Sequence, residues 1–258
     1  RDTSAPVMIR ELPHPSLNVP HAALPPRVDA DLNDPAWVHA ATISRLTPSI
    51  GLATAFSRLQ DTRVLVLWDD RGLHIRFVAS DDYLQAPFDH HDDPHHEGDV
   101  VEVFFGSVSR YFEVQVSPRG RTLDKSFTIQ GPVTTGPEGA LLAENRRRMD
   151  ARLHDDLEGL RAASQEVDGG WVVDLMIPAA YLPKLPGLGD PPAKVLANFV
   201  RLDQPTPGDI NAVTAQTNWS PVVRGRPHIS PQRFGELVLL PSGEAESCGD
   251  FPCSSLRR

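Results

Sequence analysis

The chain has 258 residues, enough for one large domain or two small ones, and its 40% hydrophobic and 23% charged composition is that of a globular protein. No apolar run approaches the roughly 20 residues needed to span a bilayer, so a transmembrane segment is not expected. A formal net charge of -9 works against attraction to phosphate backbones and anionic lipid, and nucleic acid is not an expected partner.

Residues 1–24 carry Pro6, Pro13, Pro15 and Pro20 without periodicity and are expected to run over the surface as an N-terminal extension. Residues 25–242 read as one domain. Its first segment, 27–37, suggests a short strand, a polar turn, and a helical turn opened by Asp34 with Pro35 at its first position. Residues 63–68 and 73–79 are two β-rich runs joined by Asp69-Asp70-Arg71-Gly72, a hairpin signature. Residues 100–105 and 111–117 form a second pair, and 121–129 a third partner after Pro118-Arg119-Gly120. Residues 131–150, with Arg146-Arg147-Arg148, read as a solvated loop.

Strand signals resume at 160–167 and 171–177 across Asp168-Gly169-Gly170, then at 195–201 and 235–240. About ten short strands without long amphipathic helices predict an all-β, antiparallel β-sandwich of immunoglobulin-like or jelly-roll style, with a few short helices. The tail 243–258 holds both cysteines, Cys248 and Cys253, whose loop setting and spacing suggest a local disulfide.

Residues 89–99 place His90, His91, His95 and His96 among carboxylates. Imidazole nitrogens with carboxylate oxygens suit zinc, copper, nickel or iron. Neighbours on an extended loop point apart, so His95 and His96 are not expected to share one ion. The loop reads either as exposed turns shaped by Asp and Pro or as part of a metal centre. Glu102 alternates with Val101 and Val103 and should point to the opposite face of its strand.

Four blocks of the sequence follow one another in order. The first is Val28-Asp29-Ala30-Asp31-Leu32-Asn33-Asp34-Pro35-Ala36-Trp37. The second runs from Val66-Leu67-Trp68-Asp69 through Arg76-Phe77 to Ser80-Asp81-Asp82. The third joins Asp92-Asp93-Pro94-His95-His96-Glu97-Gly98-Asp99-Val100-Val101-Glu102-Val103-Phe104-Phe105 to Tyr111-Phe112-Glu113-Val114-Gln115-Val116-Ser117-Pro118. The last combines Gly170-Trp171-Val172-Val173-Asp174-Leu175-Met176-Ile177-Pro178, Asn218-Trp219-Ser220-Pro221 and Pro231-Gln232-Arg233-Phe234-Gly235-Glu236-Leu237. In this order the four blocks resemble the family 9 carbohydrate-binding modules, and the resemblance implies a sandwich whose loop-rich face binds the end of a glycan between two aromatic rings, with carboxylate, amide and guanidinium groups on the hydroxyls. The two ring positions fall on His96 and His228, while all four tryptophans, Trp37, Trp68, Trp171 and Trp219, read as core or sheet residues.

The resulting expectation is non-catalytic binding of a saccharide, or a similar small polar ligand, by His96, Glu97, Glu102, Arg201 and His228, with Arg201 as a cationic fork. The alternative makes His96, His228 and Glu102 a two-histidine, one-carboxylate centre for zinc or copper, including a metal-dependent carbohydrate-active enzyme. Calcium, held in some relatives, would fall to Asp29, Asp31, Asn33 or Asp82. Glu97, Asp99 and Glu102 could supply the two carboxylates of a glycosidase, though nothing in the sequence marks one of them as the acid. The expected location is extracytoplasmic, periplasmic or secreted, and an export signal would precede Arg1.

Overall fold

Asp70 and Arg71 make a two-residue turn between β4 (Thr62–Asp69) and β5 (Gly72–Ser80), and this hairpin is the centre of the smaller of two sheets. Gly72 sits at φ 151°, and a Cβ there would lie 1.9 Å from the Ile177 carbonyl oxygen, so the turn needs glycine. The computed structural model describes residues 14–48, 60–130, 149–153, 156–204, 214–222 and 230–242. His228, Arg146-Arg147-Arg148, Cys248 and Cys253 lie outside the described residues.

The smaller sheet adds β2 (Ala41–Ile43), β10 (Arg161–Val167) and β11 (Gly170–Pro178) in the antiparallel order β10-β11-β5-β4-β2. The larger sheet contains β1 (Ser16–Val19), β3 (Thr47–Pro48), β6 (Val100–Gly106), β7 (Arg110–Val116), β8 (Thr122–Ile129), β9 (Met149–Leu153), β12 (Ala193–Asp203), β13 (Ala215–Asn218) and β14 (Gly235–Leu239). Its main order is β1-β14-β12-β6-β7-β8-β9, with β13 alongside β12 and then β3. The helical elements among the described residues are short 3-10 turns. None is long and apolar enough to cross a membrane.

Period-two alternation puts Val64, Val66, Trp68, Ile75, Phe77, Trp171 and Val173 of the smaller sheet against Val101, Val103, Phe105, Val114 and Phe199 of the larger in one core. The structure is thus the expected β-sandwich. The smaller sheet is covered on its outer face too, which is why its strands β5 and β11 read as buried along their whole length.

Residues 20–40 cover the outer face of the smaller sheet. Trp37 and Ala22 pack with Leu67, and the Arg76 guanidinium carbon lies 4.7 Å from the centre of the Trp37 ring. Arg76 donates to both oxygens of Asp174, at 2.7 and 2.9 Å, and Asp174 also accepts the Ala30 amide at 2.8 Å. This network accounts for the acidic block ending in Trp37. The strand expected from residue 27 is instead a bend and turn, because side chains capture the amides a ladder would use. Asp29 accepts from the Asp31 amide, Asp31 from the Asn33 amide, and Asp34 from the Ala36 amide at 3.0 Å, capping the 3-10 turn Pro35–His39.

The stretch expected to be a surface extension contributes β1, which runs parallel to β14 and buries Val19 completely. Pro15 and Pro20 bracket it, as suits a strand at a sheet edge. Strand β9 likewise begins within the stretch read as a loop.

Candidate functional site

Strand β6 lies inside the larger sheet, with β12 on one side and β7 on the other. Its odd residues Val101, Val103 and Phe105 enter the core, which leaves Glu102 and Phe104 on the outer face. Glu102 pairs with Gln115 of β7, Phe104 with Glu113, and Glu113 with Lys125 of β8. The register therefore collects Glu102, Glu113, Gln115 and Lys125 into one polar group on a single sheet face.

Gln115 Nε2 donates to Glu113 Oε1 at 2.5 Å, and Lys125 Nζ stands 3.6 Å from the same oxygen. Gln115 Oε1 is buried without a hydrogen-bond partner. Around this polar group lies an apolar carpet of Phe104, Tyr111, Phe127, Ile129, Val200 and Phe234. The Tyr111 and Phe127 rings stack 4.9 Å apart. Burial, reinforced by the charge of Glu113 and only partly opposed by Lys125, pushes the Glu102 carboxyl well above the usual carboxylate range. A neutral Glu102 can donate and accept, while Glu113 accepts and Lys125 donates, a set that complements hydroxyl groups.

The other expected site residues are placed elsewhere. Arg201 is fully buried on the opposite face of the same sheet, pointing toward β4 and β5. Its Nη2 bonds Asp81 Oδ2 and Asp203 Oδ1, each at 2.7 Å, and its Nη1 bonds the Ser80 carbonyl at 2.6 Å. Every one of these contacts is structural, so Arg201 and Glu102 do not line one cleft. Asp99 lies beside the group, accepting the amides of Gln204, at 2.7 Å, and Gln85. Burial, with the charges of Asp81 and Asp203, raises its carboxyl to about 7 against those two amide bonds.

His96 and Glu97 are exposed on the 3-10 turn His95–Glu97, just before β6. His95 is the buried member of that turn, edge-on to Phe88 with ring centres 6.2 Å apart. Among the described residues, two groups bring three metal-capable side chains together, His91 with Asp92 and Asp156, and Asp81 with Asp99 and Asp203. Neither includes His96, Glu97 or Glu102. Of the residues considered for calcium, Asp29 and Asp31 are both paired with Arg27, Asn33 bonds Asp31, and Asp82 is exposed.

Glu113, Gln115 and Lys125 were not among the expected site residues. The signal for the first two was present, since both alternate with Phe112, Val114 and Val116 just as Glu102 alternates with its valines.

The chain is a two-sheet β-sandwich with a polar group set into an aromatic sheet face. Among solved structures the chain is similar to a candidate carbohydrate-binding protein from Bacteroides uniformis, with 14% identity, a TM-score of 0.64, and coverage of 88% of this chain and 100% of that one. It is also similar to a family 9 carbohydrate-binding module from Caldicellulosiruptor kristjanssonii solved with glucose, with 13% identity, a TM-score of 0.59, and coverage of 89% and 99%. A structure of a family 9 module from the same organism with cellotriose matches at 13% identity and a TM-score of 0.54, over 93% of this chain and all of that one. No protein-family model matches the chain, and no curated protein matches it as a relative. The domain is family 9-like in fold, as the four sequence blocks implied.

Proposed function

We infer that the protein is a non-catalytic saccharide-binding protein that acts outside the cytoplasm and holds its ligand on the outer face of the larger sheet. The observation that carries this reading is the polar group of Glu102, Glu113, Gln115 and Lys125 within an aromatic face, with the buried Gln115 Oε1 lacking a partner. A sugar offers hydroxyls to such a group and C–H faces to the surrounding rings. The fold likeness to modules solved with glucose and cellotriose agrees with that chemistry. His96 and Glu97 are exposed on the turn just before β6.

The test is a glycan array followed by calorimetric titration of the best ligand. Glu102→Ala should weaken binding by about tenfold or more, the equivalent of about 1.4 kcal/mol. Lys184→Ala, at a solvent-exposed position, should leave binding unchanged. Retention of no glycan by the wild type, or equal affinity in the Glu102 variant, would overturn the reading.

A further inference from the structure

The polar group on the larger sheet has acceptors to spare and no spare donors. Glu102 stands directly across the ladder from Gln115, and Glu113 lies two residues before Gln115 on the same face of β7. Glu102 is 5% exposed and Gln115 1%. Both donor-bearing side chains of the group turn to Glu113, Gln115 through Nε2 at 2.5 Å and Lys125 through Nζ at 3.6 Å. Because Glu113 accepts, the Gln115 amide must present its nitrogen there, and Oε1 is the end left buried without a partner. No described side chain hydrogen-bonds the Glu102 carboxyl. The unmet groups are therefore Glu102 and Gln115 Oε1.

The charges are unequal as well. Glu102 and Glu113 share one ammonium, that of Lys125, and the surrounding Phe104, Phe127 and Phe234 supply none. In the free protein this imbalance is relieved by a proton on Glu102, whose carboxyl is held high by burial and by Glu113. A hydroxyl of a ligand can meet one acceptor but brings no charge. A carboxylate sugar would add a third acid to the group. An ammonium brings three donors together with the missing positive charge, and neighbouring ring faces attract it further.

We propose that the saccharide held on this face is an amino sugar with a free amine, its ammonium seated between the Glu102 carboxylate and Gln115 Oε1. The inference rests on the saccharide-binding reading and adds the class of ligand to it. Lys125 then serves Glu113, and Glu102 serves the ligand. N-acetylation removes the charge and leaves a single N–H donor, so an acetylated sugar loses the advantage, as one with a plain hydroxyl does.

The test is calorimetric titration of the full-length chain with β-1,4-linked trimers of glucosamine, N-acetylglucosamine and glucose, which share a skeleton and differ at C2. The titrations are run at mildly acidic pH, where the amine carries its charge. The glucosamine trimer should bind about tenfold or more tighter than the other two. Glu102→Gln keeps the shape of the side chain but cannot ionise, and it should close that gap to about twofold or less, with thermal melting to report an intact fold. Lys125→Met frees Glu113 for the ligand and should leave the gap open. Equal binding of the trimers, a gap that survives Glu102→Gln, or a gap lost in Lys125→Met would overturn the amine and leave the saccharide reading standing. So would retention of other glycans through Glu102 without the glucosamine trimer, whereas retention of no glycan at all would overturn both.

Discussion

Glu102 and Arg201 stand one ladder step apart on neighbouring strands and point to opposite faces of the larger sheet. The pairs Glu102–Val200 and Val101–Arg201 are consecutive, so the pleat separates their side chains completely. One residue faces the candidate ligand surface, and the other locks the two sheets together through Asp81 and Ser80.

Replacing Arg201 should therefore damage stability and spare the ligand surface. Arg201→Leu leaves the buried Asp81 and the partly buried Asp203 without their cation, which should cost about 3–5 kcal/mol. Urea denaturation measures the loss, and glycan titration of the folded fraction should give the wild-type affinity.

Stability should fall as pH rises from about 5 to 8. The carboxyls of Asp99, near 7, and Asp124, near 6, are both raised in the folded protein. An acid with a raised folded-state pKa contributes stability that is full below its unfolded value and lost as pH rises through its folded value, by at most about 1.4 kcal/mol per pH unit for each group. Glu102 acts in the same direction, whereas His95, held low chiefly by burial, acts in the opposite one. Asp99→Asn should flatten the slope of unfolding free energy against pH; an unchanged slope would remove Asp99 from this account.

Asp174→Ala should be among the most damaging single changes. It strands Arg76, which is 2% exposed, and frees the Ala30 amide, so a loss of about 3–5 kcal/mol is expected. Limited proteolysis should then cut within residues 20–40 before the sandwich itself unfolds.

Gly235→Ala tests a close approach rather than a charge. The added Cβ would lie 2.6 Å from the Trp219 ring and 2.9 Å from the Pro15 carbonyl oxygen. Overpacking of this kind costs about 1–3 kcal/mol, and a shift in tryptophan emission should accompany the loss.

Much of the architecture was legible because alternation and turn residues are local. Asp70-Arg71-Gly72 specified a hairpin, and Val101-Glu102-Val103 specified which face Glu102 would take. The role of Arg201 was not legible, since its partners Ser80 and Asp81 are about 120 residues away and only the fold brings them near. Strand β1 was hidden because its prolines read as breakers, and its pairing partner lies near the other end of the domain. The histidine-rich loop drew attention to His95 and His96, yet the residue that meets distant carboxylates is His91, through Asp156.

His14 reaches the Phe234 carbonyl at 3.1 Å across 220 residues of chain, and β1 then follows β14 in parallel. Such a closure gives no local route to the finished sheet. During synthesis the first strand must wait for β14, so the larger sheet closes only after nearly all of the domain has left the ribosome.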